Sequence, residues 1–166
     1  MSSYKTEAIH SIALIGHGAA GKTSLAEAML HAAGAIGAKG SVEKGSTVSD
    51  HDGQEKDAGH SLNSAVLHFE YESTRIHVVD TPGYPDFAGQ ALAALAGVDT
   101  ALIVINAQSG IELMTERMMS AAAERKLCRM IVINKIDVDN LDLPALVADI
   151  RERFGRIEIG QLHRSA

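Results

Sequence analysis

The chain has 166 residues, enough for one ordinary domain with a real core and not obviously enough for two. Its 46% hydrophobic content fits a globular protein, and a net charge of −6 argues against a dominant, non-specific surface for polyanions. One cysteine, Cys128, excludes an intrachain disulfide and a cysteine-based zinc cluster, and its place beside a predicted strand leads us to expect a buried thiol. The polar start, Met1 to His10, lacks the apolar core of a signal peptide, and no apolar run is long enough to span a bilayer. The cytoplasm is the expected address.

Ile9 to Ile15 reads as a first strand, nearly continuous in apolar residues toward its end, as in a strand covered on both faces. Gly16-His17-Gly18-Ala19-Ala20-Gly21-Lys22-Thr23 follows, with the spacing of a phosphate-binding loop at a strand-to-helix junction. Gly16, Gly18 and Gly21 permit backbone angles that a side chain forbids, and they let the main chain approach a ligand closely. Successive N–H groups then form an anion nest, backed by the N-terminal partial charge of the next helix. Lys22 suits the β- and γ-phosphates, and the Thr23 hydroxyl suits Mg²⁺. The phosphate-binding set is thus Gly16, His17, Gly18, Ala19, Ala20, Gly21, Lys22, Thr23 and Ser24; the competing reading is a Gly-rich turn that fits by chance.

Thr23 to Ala33 reads as a helix, with Leu25, Ala28, Met29 and Ala32 on one side and Gly34 as its stop. From Gly34 to Gly59 the periodicity dissolves into glycine, serine and aspartate. The acidic spacing does not match a calcium loop. Directly after a phosphate loop, this stretch suits a segment ordered by a γ-phosphate and Mg²⁺. Ala65 to Tyr71 alternates as a half-exposed strand, and Glu72-Ser73-Thr74 joins it by a hairpin to a strand over Arg75 to Asp80. Asp80-Thr81-Pro82-Gly83 then puts a carboxylate at the C-terminal sheet edge, where open α/β sheets bind ligands. Gly83 offers its N–H to a γ-phosphate and loses that contact when the phosphate leaves.

Phe87 to Leu95 is a predicted helix, Ala101 to Ile105 a buried strand, and Leu113 to Arg125 a helix whose Met114, Met118 and Met119 serve as core filler. Met130 to Ile133 is a further buried strand, ending in Asn134-Lys135-Ile136-Asp137. The Asp137 carboxylate can accept from the ring N–H and amino group of guanine, a pair that adenine lacks, which disfavours an ATPase. Asn134 can tie the base loop to the phosphate loop, and the Lys135 stem can cover the base. A last helix starts at Asp142-Leu143-Pro144, buries Leu146, Val147, Ile150 and Phe154, and stops at Gly155. Residues 156–166 suggest no further element. The predicted fold is α/β, a three-layer P-loop nucleoside triphosphatase with a mostly parallel sheet, one antiparallel hairpin strand and the final strand missing.

The three motifs in this order resemble the GTP-binding domain of translation factors, in particular elongation factor G and its elongation factor G-like paralogues. The resemblance runs from about Ile9 to Gly155, within a domain taken as 1–166 with a divergent tail over 156–166. It implies GTP and GDP as ligands, Mg²⁺ as cofactor, hydrolysis that is slow without the ribosome, and the ribosome as partner, with neither membrane nor sequence-specific nucleic acid. It also implies nucleotide contacts from Asp80, Gly83, Asn134, Lys135 and Asp137. Tyr84 replaces the family's water-placing histidine, as in the elongation factor G-like branch, and becomes the candidate catalytic residue. A phenol neutral near pH 7 orients water only by hydrogen bonding. Ser61 replaces the effector-loop threonine as a metal ligand beside Thr23, and Ala58 replaces an arginine. The family's last guanine-contacting loop is expected to be absent, with Ser165-Ala166 a chance match, as in a truncated or frame-shifted frame. Two rivals remain: a switch that binds GTP without turnover, and an inert fragment.

Overall fold

The computed structural model describes residues 4–49, 63–155 and 158–161. A six-stranded sheet runs through it in the order β2-β3-β1-β4-β5-β6, with β1 at Ile9–Ile15, β2 at Ala65–Tyr71, β3 at Thr74–Asp80, β4 at Thr100–Asn106, β5 at Cys128–Asn134 and β6 at Glu158–Gln161. All neighbouring pairs are parallel except β2 with β3. That pair is closed by Glu72 and Ser73 at φ of 45° and 66°, the two left-handed angles that match the twist of a tight hairpin.

Helices cover both faces, as a parallel sheet requires. On one face lies α1, Lys22–Ala32, whose Leu25, Ala26 and Leu30 pack on Leu14, Val78, Leu102 and Val104. The buried side of α1 therefore differs from the expected one: Ala32 is exposed and Ala28 and Met29 are only partly covered. On the other face lie α2 at Ala88–Ala94, α3 at Leu113–Glu124 and α4 at Leu143–Phe154. Met114, Met118 and Met119 are buried there with Ile103, Ile131 and Ile150, so the methionines do fill the core. Asp142 caps α4 by accepting from the Ala145 N–H at 3.0 Å.

Two expectations fail. The final strand is present: Gly155, at φ 76°, ends α4, and the chain returns so that Glu158–Gln161 pairs with Met130–Ile133 along the edge of β5. Four residues are too few for their alternation to stand out, and backbone pairing places them. Cys128 is exposed, because it opens β5 at the end of the strand that the covering helices leave bare. Among the described residues no helix is long and apolar enough to cross a membrane.

Candidate nucleotide site

Parallel strands β1, β3, β4 and β5 all end on one edge of the sheet, and the three motifs extend from those ends. The first motif turns from β1 into α1. Gly21 precedes the helix at φ 96°, and a Cβ there would stand 2.2 Å from Asn134 Nδ2. No side chain caps α1, so its first N–H groups face the loop. Gly18 serves close approach instead of an unusual angle: a Cβ on it would meet the Tyr84 ring at 2.8 Å, while Ala19 takes the left-handed turn at φ 58°.

Lys22 is 6% exposed, and its Nζ donates to Gly16 O at 3.2 Å and His17 O at 2.8 Å. Burial lowers its pKa to about 8, against the opposing pull of the Asp80 carboxylate. The ammonium is therefore held by carbonyls of the loop itself. Beside it the Thr23 hydroxyl donates to Asp80 Oδ2 at 2.7 Å, which joins the start of α1 to the end of β3. Hydroxyl and carboxylate oxygens fit a small hard cation. Among the described residues there is no cluster of three or more His, Cys, Asp or Glu that could hold a metal ion. Ser61, the other expected metal ligand, lies outside the described residues.

Thr81 holds the second motif in place by donating to Leu14 O at 2.7 Å. Gly83 then presses on the phosphate loop: a Cβ would fall 2.2 Å from Lys22 Nζ and 2.6 Å from Gly18 N, so only glycine allows this approach. Tyr84 follows, with its ring against Gly18 and 6.5 Å from the His17 ring. His17 Nδ1 lies 2.7 Å from Gly18 O and 3.0 Å from Glu112 Oε2. Both neighbours only accept, so Nδ1 carries the proton.

The third motif reaches the first through Asn134, whose Nδ2 donates to Ala20 O at 3.0 Å while its Oδ1 accepts from Lys135 N at 2.9 Å. A cavity of about 280 Å³ lies where the loops meet, lined by Gly18, Lys22, Thr23, Gly83, Tyr84 and Lys135, with Ala19, Gly21 and Ser24 also on its wall. Asp137 stands apart from that wall, exposed in the turn after β5. Val42 and Glu43 line the cavity and were not anticipated, nor were Thr81 and Glu112. A hollow of about 370 Å³ elsewhere is walled by α4 alone and gathers none of the motif residues.

Residues 7–163 match the family model described as the elongation factor Tu GTP binding domain. Tetracycline resistance protein TetW of Butyrivibrio fibrisolvens is 37% identical over 146 residues, 88% of this chain and 23% of that protein. The chain thus spans about a quarter of the length of the curated relatives it matches. A crystal structure from Thermus thermophilus superposes with a TM-score of 0.85 at 36% identity, over 89% of this chain and 22% of the other. Translation elongation factor SelB of Methanococcus maripaludis, solved with a GTP analogue, shares the fold at a TM-score of 0.72 and 17% identity, covering 98% of this chain and 30% of its own. The match to the family model takes in all three motifs and nearly the whole sequence, and the chain belongs to the family of the elongation factor Tu GTP-binding domain.

Proposed function

We propose that residues 1–166 form one GTP-binding domain that hydrolyses GTP to GDP and phosphate, slowly by itself and faster on the ribosome, in the cytoplasm. The observation that carries this reading is the meeting of Lys22, the Thr23–Asp80 pair and Gly83 at one loop. Phosphoryl transfer asks chiefly for positioning and charge neutralisation, and these groups supply both.

In this reading Lys22 exchanges its two carbonyl partners for oxygens of the β- and γ-phosphates, and the N–H groups of the loop from Gly16 to Ser24 line the phosphate chain. Gly83 offers its N–H to the γ-phosphate. Thr23 and Ser61 would hold Mg²⁺, with Asp80 as an indirect partner. When bound, that ion would neutralise charge on the phosphate oxygens. Tyr84, fixed over Gly18, would orient the attacking water through its phenol. Asp137 would accept from the guanine ring N–H and amino group, Lys135 would cover the base, and Asn134 holds that loop to Ala20. Loss of the γ-phosphate would release the Gly83 contact and turn nucleotide state into a change of shape. Membership of the elongation factor Tu GTP-binding family supports the ribosome as the partner.

Titration with a fluorescent guanine nucleotide, with and without Mg²⁺, tests the binding; no magnesium-dependent affinity removes the reading. Tyr84 in the place of a histidine favours one alternative, a switch that binds without turnover. Single-turnover hydrolysis with and without ribosomes separates them, since the alternative expects no stimulation.

A further inference from the structure

Glu27 is a buried carboxylate for which the hydrolytic reading has no task. It sits on α1 one turn beyond Thr23 and is 1% exposed. Among the described residues no lysine or arginine pairs with it. Its oxygens accept instead from two backbone N–H groups, those of Gly40, at 2.7 Å, and Val48. The chain between these donors folds back on itself. Lys44 N and Ser46 N donate to Ser41 O at 3.2 and 3.1 Å, and Ser46 Oγ accepts from Ser41 N at 3.0 Å. Gly40 closes the loop from its other end: a Cβ there would lie 2.4 Å from Ser46 O and 2.7 Å from Thr47 Cα. The tip of this loop, Val42 and Glu43, is the part that walls the cavity at the phosphate loop.

A buried carboxylate is costly where an apolar residue would fill the same space, and hydrogen bonds to its charge are what offset that cost. Here both oxygens are given to one loop. The helix that carries Glu27 begins with the residues that contact phosphate in the reading above. The arrangement therefore joins the wall of the cavity to its floor.

We propose that Glu27 is a positioning residue: it clamps the loop over 40–48 so that Val42 and Glu43 stand across the cavity and retain the bound nucleotide. This rests on the guanine-nucleotide reading above and adds a residue that sets how long the nucleotide stays. Its effect falls on dissociation, since the clamp closes a wall and supplies no contact that steers entry.

Two variants test it on the full chain. Glu27→Gln keeps the volume but turns an amide donor toward one of the two N–H groups. Gly40→Ala crowds Ser46 and Thr47 from the loop side and leaves α1 untouched. Stopped-flow dissociation of a fluorescent GDP is expected to quicken about tenfold in each, the factor that one lost hydrogen bond carries. Association should change by less than about twofold. Amide exchange without nucleotide is expected to show Gly40 and Val48 protected in the wild type and exposed in Glu27→Gln. Wild-type dissociation rates in both folded variants overturn the clamp, as do unprotected amides in the parent. Should Glu27→Gln fail to fold, Gly40→Ala decides alone. If the parent binds no guanine nucleotide, the functional reading fails, while amide protection still decides the clamp.

Discussion

An alanine at position 21 would carry its methyl to 2.2 Å from Asn134 Nδ2, where Asn134 now donates to Ala20 O. Two costs follow. The left-handed backbone at φ 96° strains any residue with a Cβ by about 1–2 kcal/mol. The displaced amide also gives up its bond to Ala20, for about another 1–2 kcal/mol. Gly21→Ala should therefore destabilise by about 2–4 kcal/mol, the sum of the two. Asn134→Ala loses the same bond, together with the one from Lys135 N, for about 2–3 kcal/mol. In the double variant the clash is gone and the bond to Ala20 is lost only once. It should therefore be about 1–2 kcal/mol more stable than the sum of the single effects predicts. Urea unfolding of the four proteins measures each term. Additivity within about 0.5 kcal/mol would refute the claim that Gly21 is glycine because of Asn134.

Thr23→Ala removes the donor to Asp80 and should cost about 1.5–3 kcal/mol, the worth of a hydrogen bond to a charged group, whereas Thr23→Ser should restore most of it. The melting temperatures of the three proteins check this, and the alanine variant should also lose the magnesium dependence of nucleotide affinity. Asp137→Asn should move base preference from guanine to xanthine nucleotides, read by competition; an unchanged preference means the base contact is assigned wrongly. Asp99 accepts from both the backbone and the hydroxyl of Ser11, and these bonds hold its pKa below the usual 3.8. Its contribution is thus full above about pH 4 and fades as pH falls through the lowered value. Asp99→Asn should flatten that acid limb of a stability-against-pH curve, by less than about 1 kcal/mol because the pair is exposed.

Much of this architecture could be read from residue order. Strands β1, β4 and β5 announce themselves as apolar runs, and the tie from Asn134 to the phosphate loop was expected from its motif. What escaped was decided by partners distant in the chain. Glu27 looks like a solvent-facing position among alanines until Gly40 and Val48 return to it. Thr81 shows no sign of its bond to Leu14, 67 positions earlier. Glu112 reads as an ordinary residue before a helix, yet it faces His17. For β6 the failure was of another kind, since pairing along a backbone leaves little trace in four side chains. Cys128 misled because a strand residue is protected only where helices reach, and they do not reach the start of β5.

The two carbonyls on Lys22 have a consequence for selectivity. A competing anion must give this ammonium more than Gly16 and His17 already do, and a single small ion replaces such contacts at best one for one. In the reading proposed above, a chain of charged phosphates would exceed them, because several oxygens would meet the amine and the loop N–H groups together. Chloride, though far more abundant in most solutions, should therefore be a poor inhibitor of the binding proposed above.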